Sequence, residues 1–141
     1  MAVHAHHPGQ SGRGKSLFCL VCRSHEKESD TYKEDERKAA EALAHFEEYG
    51  FLGGAVWAED RIVAMALGEV QGDTLYVHIE KADIRYHGAY QMIVREFARY
   101  ACTEGVQYIN REDDAGDEGL RKSKLAWRPC GLLDKYLVHM D

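Results

Sequence analysis

The stretch Thr74-Leu75-Tyr76-Val77-His78-Ile79-Glu80 alternates apolar and polar side chains without interruption. Because successive side chains of a β-strand point to opposite faces of a sheet, this alternation predicts a strand with one apolar face. The three apolar side chains are expected on the core face: Leu75, Val77 and Ile79. The three polar ones would then share the other face, which is left for chemistry or solvent: Tyr76, His78 and Glu80.

The segments on both sides of this strand change their hydrophobic period, which predicts helices and strands in alternation. Before it, Lys33 to Tyr49 has apolar residues at helical spacing, and two runs, Gly53 to Ala58 and Arg61 to Val70, predict a hairpin that is apolar on both faces. The elements expected after it are a helix from Ala89 to Thr103, a strand from Val106 to Asn110, a short helix capped by Asp117 and ending at Leu125, and a strand from Gly131 to Val138. Strands joined through a helix lie parallel. The predicted fold class is therefore α/β (α+β): a mixed β-sheet flanked by helices, in a single domain.

Composition and charge exclude several classes of protein. The chain has 141 residues, of which 45% are hydrophobic and 30% charged, so it is not expected to be fibrous, disordered or membrane-spanning. Its net charge is −6, and it contains no run of five like charges that could bind a phosphate backbone, so general nucleic-acid binding is not expected. The apolar run from Leu17 to Cys22 is too short for a signal-peptide core or a membrane span. We therefore expect a cytoplasmic protein.

The first 25 residues differ from the rest, because they contain Arg13, Lys15 and Arg23 and no acidic residue. Terminal segments of polar composition are usually poorly ordered. We predict a flexible leader over residues 1–25 and one domain over residues 26–141.

Two motifs in this leader match known patterns as strings. Gly9 to Ser16 satisfies the phosphate-loop pattern, but a polar, proline-terminated stretch stands where a buried strand should precede it. Cys19-x-x-Cys22-x-x-His25 has metal-like spacing without a second pair to close a tetrahedral site. A flexible leader and a reduced, packed cysteine pair are the preferred interpretations, and no metal is expected. A nucleotide hydrolase that uses Gly14, Lys15 and Ser16 is kept as an alternative.

Polar residues gather where the two strands of the predicted parallel pair end. Glu80-Lys81-Ala82-Asp83 ends one strand, and Asn110-Arg111-Glu112-Asp113 ends the other. Ligands of open α/β sheets bind at the carboxyl ends of such strands, beside the N-terminus of a neighbouring helix. The connecting helix begins at Gly88-Ala89, where N–H groups without a helical partner and the helix dipole favour an anion.

These segments carry a resemblance to a known family. The order of elements resembles the GNAT acyltransferase fold. Four stretches are similar to bacterial proteins related to the C-terminal domain of phosphatidylglycerol lysyltransferase: His78 to Asp83, Gly88 to Gln91, Tyr108 to Asp113 and Glu118 to Leu125. The similarity begins near residue 33 and is densest between residues 76 and 136. Most members of that family have two tandem GNAT-like units, of which this chain corresponds to the second. The contribution of the other unit to a shared cleft is then absent or comes from another subunit.

The resemblance implies a donor site. The GNAT pyrophosphate loop is Gln or Arg, two residues, Gly, one residue, then Gly or Ala; these positions are Arg85 to Tyr90 here, with Tyr90 in place of the last small residue. Arg85, Gly88 and Ala89 would hold an anionic donor. The lysyltransferases move lysine from an aminoacyl-tRNA to a lipid head group, so the donor is expected to be acyl-CoA or an aminoacyl-tRNA.

Two residues are candidates for the general base. Glu80 and His78 share the predicted non-core face, and either would deprotonate an acceptor. A surface position or a hydrogen-bonded structural role is the alternative for each.

Four residues are candidates for substrate binding. Asn110, the only asparagine in the chain, and Arg111 lie at a strand end, where we expect them to orient substrate. Arg121 and Lys124 are three residues apart on the short helix, so they share a face and would clamp a carboxylate or phosphate. The alternative for this pair is an ion pair with nearby acidic residues.

The sequence therefore predicts a GNAT-like acyltransferase or aminoacyltransferase that acts on an amine or hydroxyl group. Its acceptor would be a small molecule or a lipid-like molecule, and a homo-oligomer is expected, for which a homodimer is one option. The alternative is a non-catalytic GNAT-like module that binds a ligand or a partner protein, which Tyr90 and the missing tandem unit favour.

Overall fold

The structure, a computed structural model, describes residues 2–5 and 30–140. Within those ranges the chain forms the strands β1 (Ala2–Ala5), β2 (Leu52–Ala58), β3 (Arg61–Gln71), β4 (Thr74–Ala82) and β5 (Tyr108–Asn110), and the helices α1 (Asp30–Ala44), α2 (Ala89–Ala101) and α3 (Glu118–Leu125). The described residues as far as Asn110 make one compact unit, which holds the strands with α1 and α2. Residues 111–141 make a second unit, which holds α3.

The five strands form one sheet in the order β1-β2-β3-β4-β5. The first three pairings are antiparallel, whereas β4 and β5, which α2 connects, are parallel. The predicted mixed sheet with a parallel pair is confirmed. The hairpin between β2 and β3 turns through Glu59 and Asp60, whose positive φ angles of 51° and 61° suit the right-handed twist of the strands.

Apolar residues are buried on both faces of the sheet. In β3, every residue from Ile62 to Gly68 is buried, as expected of a strand covered on two sides. The α2-side core consists of Val56, Val63, Ala64, Ala66, Leu75, Val77, Ala82, Ala89, Ile93, Phe97 and Ala101. The α1-side core consists of Ala39, Ala42, Met65, Leu67 and Ile79.

A bulge interrupts β4 at His78. Leu67 of β3 pairs with Ile79, but the next residue of β3, Gly68, pairs with Val77, so His78 is an extra residue in β4. Val77 consequently lies in the α2-side core and Ile79 in the α1-side core. The predicted single apolar face of this strand is therefore wrong at Ile79, because one extra residue reverses the alternation that follows it.

The helix boundaries differ from the predicted ones by a few residues. α1 runs from Asp30 to Ala44, and hydrogen-bonded turns continue to Gly50, which has a φ of 66°. α2 ends at Ala101 rather than Thr103. The predicted cap of α3 is confirmed, since the Asp117 carboxylate accepts a hydrogen bond from the Leu120 N–H at 2.7 Å.

The predicted strand from Gly131 to Val138 is wrong: residues 131–140 contain neither helix nor strand. A strand requires a neighbour with which its backbone groups can pair, and none of the five described strands pairs with this segment. Its large apolar side chains are exposed: Leu132, Leu133, Tyr136, Leu137, Val138 and Met140.

The predicted leader is described only in part. Ala2–Ala5 form a strand paired with β2, and the flexible leader over residues 1–25 stays a prediction. Residues 6–29, with the Gly9 to Ser16 and Cys19 to His25 motifs, lie outside the described residues, and the predicted domain boundary at residue 26 lies there too. None of the helices in the described ranges has the length and apolarity needed to cross a membrane.

Candidate active site

β4 and β5 separate at the carboxyl end of their shared ladder. The two strands pair only from Thr74 with Tyr108 to Tyr76 with Asn110, while β4 continues through Val77 to Ala82. Asn110, a predicted substrate residue, is half-buried at the last of these pairs. The edge of β4 beyond Tyr76 therefore extends past the β5 ladder, and it leads directly into the loop that begins α2.

The bulge residue His78 forms a hydrogen-bonded pair on the α1 side of the sheet. Its Nε2 lies 3.1 Å from Oε1 of Glu69, and its ring centroid is 5.1 Å from that of Phe51, which packs against the α1-side core. Hydrogen bonds from the Gln71 amide and then from the His78 ring lower the pKa of Glu69. Glu69 was not among the predicted site residues, because a polar residue near the end of a strand gives no signal of its own.

Glu80 lies on the other face of the sheet. Its register partner in β3 is Ala66, a member of the α2-side core, and the two residues of such a pair project to the same face. The prediction that Glu80 and His78 share one face is therefore wrong. The physical reason is again the bulge, which places the two side chains on opposite sides of β4.

The loop after β4 is organised by a buried carboxylate that sequence reasoning did not single out. Asp83 is 5% exposed, and its side chain accepts hydrogen bonds from the Arg85 backbone N–H at 3.0 Å and from the Arg85 guanidinium at 2.5 to 3.1 Å. This bond to Asp83 raises the pKa of Arg85 above its ordinary value. The signal available in the sequence was the spacing itself, because Asp commonly bonds the backbone two residues onward in a turn.

The predicted donor-binding residues meet at the start of α2. Gly88 is the N-cap of α2, with a φ of 82°, and a side chain added there would meet nothing within 4 Å. Ala89 is fully buried in the α2-side core, and its N–H donates to the Tyr86 carbonyl at 3.0 Å. Tyr90 is half-buried and packs against the same core. The Arg85 side chain is held by Asp83, so the open position of this loop is at Gly88.

The remaining predicted residues belong to the second unit. The Lys124 ammonium donates hydrogen bonds to the backbone carbonyls of Arg111, Glu112 and Asp113. Arg111 is half-buried at the start of the segment that Lys124 holds.

Arg121 forms the acidic pairing that the sequence offered as an alternative to substrate binding. Its guanidinium contacts both carboxylate oxygens of Asp114, at 2.5 and 3.0 Å. Arg121, and then the Gly116 N–H, lower the pKa of Asp114 to about 2. Arg121 therefore stabilises the turn before α3.

Cysteine and metal chemistry have little support in the described ranges. Cys102 follows the last residue of α2 and packs against the α2-side core, and burial raises the pKa of its thiol. Among the residues whose side chains the structure describes, no three His, Cys, Asp or Glu side chains group as metal ligands.

The same arrangement of sheet and helices is found in GNAT acetyltransferases of known structure. A ribosomal-protein-alanine N-acetyltransferase from Brucella melitensis biovar Abortus 2308 aligns over 99% of this chain and 100% of its own, with a TM-score of 0.69 and 11% identity. An aminoglycoside N-acetyltransferase in complex with the bisubstrate analogue CoA-S-monomethyl-acetylneamine aligns over 99% of this chain and 97% of its own, with a TM-score of 0.62 and 8% identity. At these identities the likeness shows the fold, and the predicted GNAT-like fold is confirmed.

A family model and a solved structure of a relative both show the family of this chain. The model of the family described as phosphatidylglycerol lysyltransferase, C-terminal, matches residues 22–139, and the chain belongs to this family. A conserved protein of unknown function from Bacteroides thetaiotaomicron VPI-5482 is 36% identical, with a TM-score of 0.77 over 93% of this chain. The chain spans 45% of the length of that protein. The search of curated proteins gives no match.

Proposed function

We propose that this chain is an acyltransferase of the GNAT fold that binds an acyl-CoA donor along the separated edge of β4 and transfers the acyl group to an amine or hydroxyl acceptor. The separation of β4 from β5 after Tyr76 carries the proposal. An extended ligand can hydrogen-bond to strand backbone groups in the way that an added strand does. The helix N-terminus at Gly88 offers backbone N–H groups to the anionic end of the same ligand.

Charge favours acyl-CoA over an aminoacyl-tRNA as the donor. The chain carries −6, and the binding of polyanions such as tRNA depends on neutralising many phosphates with basic side chains. A nucleotide-sized donor needs far fewer of them. The CoA-derived ligand of the aminoglycoside N-acetyltransferase, which shares the fold, supports the same choice.

The pair of His78 and Glu69 is the proposed base. His78 accepts the proton, and the Glu69 carboxylate, 3.1 Å from Nε2, stabilises the imidazolium that results. The proton leaves the acceptor N–H or O–H, the acceptor atom bonds to the acyl carbon, and the thioester C–S bond breaks. CoA leaves as the thiolate and takes a proton from solvent.

A second candidate function is supported by the loop before α2. The Arg85 guanidinium is engaged by Asp83, and the Ala89 N–H is engaged by Tyr86. This loop therefore has fewer hydrogen-bond donors available to bind an anion than its sequence indicated. This observation favours a GNAT-like module that binds a ligand or partner without catalysis.

A transfer assay separates the two candidates. Purified protein is incubated with radiolabelled acetyl-CoA or longer acyl-CoAs and a panel of primary amines, amino sugars and hydroxylated lipids, and acyl product is counted. The His78→Gln variant is compared with His45→Gln, since His45 also pairs with a glutamate but on the exposed surface. Acyl product that His78→Gln abolishes supports the transferase. Acyl-CoA binding without product from any acceptor favours the module. If the protein neither binds acyl-CoA nor forms product, the proposal of an acyl-CoA donor is contradicted.

A further inference from the structure

Three aromatic rings lie together on the α1 side of the sheet, beside the carboxylate of Glu69. The ring centroid of Tyr49 is 5.4 Å from that of Phe51, and the Phe51 centroid is 5.1 Å from that of His78. We call the rings of Tyr49, Phe51 and His78 the ring cluster. Phe51 packs against the α1-side core, whereas Tyr49 is 43% exposed. The ring cluster therefore extends from the core to the surface.

The ring cluster has the geometry of a site for an organic cation. The planes of Tyr49 and Phe51 meet at 64°, and those of Phe51 and His78 meet at 41°, so the ring faces point in more than one direction. A cation is attracted to the face of an aromatic ring when it lies within about 6 Å of the ring centroid, and cages of aromatic rings bind ammonium ligands. Because neighbouring centroids are 5.1 and 5.4 Å apart, one cation can lie within that distance of two rings.

A carboxylate lies at one end of the ring cluster. Oε1 of Glu69 is 3.1 Å from Nε2 of His78, and Oε2 accepts a hydrogen bond from the Gln71 amide at 2.9 Å. The bonds from Gln71 and then from His78 lower the pKa of Glu69, so this carboxylate is charged at neutral pH. An ionised carboxylate has about four positions at which it accepts hydrogen bonds. Glu69 can therefore accept a further bond from a cationic N–H group.

The elements around the ring cluster are strongly acidic. Residues 39–80 contain eight acidic residues and one basic residue, Arg61. Arg61 begins β3, at the opposite end of that strand from the carboxylate of the cluster. The basic residues that precede this range, Arg37 and Lys38, are both paired with Glu34. A surface with charges of one sign raises the local concentration of ligands of the opposite charge.

We propose that the ring cluster and Glu69 bind a primary ammonium group carried on a hydrocarbon chain. The carboxylate and the ring faces hold the charge, and the rings also cover the apolar chain. The identification of this ligand as the acceptor rests on the proposed function, in which His78 and Glu69 are the base, whereas the binding of the ammonium group does not. The inference selects an amine acceptor over a hydroxyl acceptor. A free alkylamine and a lysine side chain share this chemistry.

Three probes with the same chain test whether charge is recognised. Hexylamine, 1-hexanol and hexanoate differ at neutral pH in their charge, which is positive, absent and negative, and each is added without acyl-CoA while the amide NMR signals are followed. We expect hexylamine to bind at least about tenfold more tightly than 1-hexanol, and hexanoate to bind most weakly. The shift changes are expected at Tyr49, Phe51, Glu69 and His78. Nα-acetyl-lysine amide is the second source of the ammonium group: equal affinity would indicate a lysine side chain, and weaker binding a free alkylamine.

Two variants test which groups hold the cation. Tyr49→Leu keeps an apolar side chain but removes a ring, and it should weaken hexylamine binding about three- to thirtyfold. Glu69→Gln removes the charge, so it should weaken hexylamine binding and leave 1-hexanol binding unchanged. The control is Tyr100→Leu, because Tyr100 is also 43% exposed but lies on α2. Circular dichroism checks that each variant is folded.

Four results would overturn the proposal. These are no binding of hexylamine at about 10 mM, equal affinities for hexylamine and 1-hexanol, hexylamine binding that Tyr49→Leu leaves unchanged, and shift changes confined to residues outside the ring cluster and Glu69. The failure of this site is distinguishable from that of the proposed function. Hexylamine binding at the cluster without acyl product supports the site and favours the non-catalytic module. Acyl transfer to 1-hexanol by a protein that does not bind hexylamine overturns the site and leaves the transferase.

Discussion

His78 and Glu80 are two residues apart on β4 and lie on opposite faces of the sheet. In a regular strand, residues at this spacing share a face. The extra residue at the bulge separates them, with His78 beside Glu69 and Phe51, and Glu80 in register with Ala66. One of the two candidate bases consequently lies on each side of β4.

The base assignment makes a kinetic prediction. We expect His78→Gln to lower kcat by about a hundredfold or more, the usual contribution of a general base, and Glu80→Gln to change it by less than about fivefold. Glu69→Gln should lower kcat less than His78→Gln and displace the pH profile, since Glu69 acts through the imidazole. The measurement is acyl transfer at saturating donor across pH, with His45→Gln as the control. A loss confined to Glu80→Gln would reverse the assignment.

The bulge depends on Gly68. A side chain added at Gly68 would overlap the backbone carbonyl of Tyr76, whereas one added at Gly54 would be in ordinary contact with Phe97 at 3.4 Å. We expect Gly68→Ala to destabilise the fold by about 1–3 kcal/mol, because strand backbone must move to admit it. Gly54→Ala should stay within about 1 kcal/mol. Urea unfolding of both variants measures the difference, and equal stabilities would mean that the backbone at Gly68 is not closely packed.

The buried carboxylate of Asp83 should be worth more to stability than its exposed partner. Asp83→Asn leaves the buried site without a charge to accept the Arg85 bonds, and the expected loss is about 1–3 kcal/mol. Arg85 is 68% exposed at its side chain, so we expect Arg85→Gln to cost less than Asp83→Asn. Chemical denaturation of the two variants provides the comparison. An Arg85→Gln cost equal to or above that of Asp83→Asn would show that the backbone bond to Asp83 contributes little.

Asp114 should titrate well below an ordinary aspartate. Its pKa of about 2 in the folded protein lies below the unfolded value near 3.8, so the stability that it contributes is present above pH 4. That stability is lost as pH falls from about 4 to about 2, because the unfolded state takes up the proton first. Carboxyl ¹³C shifts measured by NMR are expected to show this low pKa. Arg121→Gln should raise it toward 3.8, and no rise would mean that the Gly116 N–H alone lowers it.

Local patterns were enough to predict most of the fold. Helical spacing in Lys33 to Tyr49, the hairpin turn at Glu59-Asp60 and the cap at Asp117 are each decided by neighbouring residues, and the structure contains all three. The parallel pair followed from the helix between β4 and β5. The exchange of faces after His78 was not predicted from the sequence. One signal of it was present, Gly68, because a glycine inside a strand often marks a bulge.

The site was less predictable because its partners come from different elements. Glu69 is nine residues from His78 and reaches it only through the register of β3 against β4. Arg121 and Lys124 share a helix face as expected, and both side chains bond to the loop before α3. Their spacing alone could not decide whether they bind a ligand or that loop, because the position of the loop depends on tertiary contacts. The roles of Asn110 and Arg111 stay predictions.

The most direct test of the central claim is an NMR titration of the amide signals with acetyl-CoA. We expect shift changes confined to the separated edge of β4, from Val77 to Ala82, and to the start of α2 at His87 to Tyr90. Shift changes that spare both segments, or none at millimolar acetyl-CoA, would contradict the proposal that this edge binds the acyl donor.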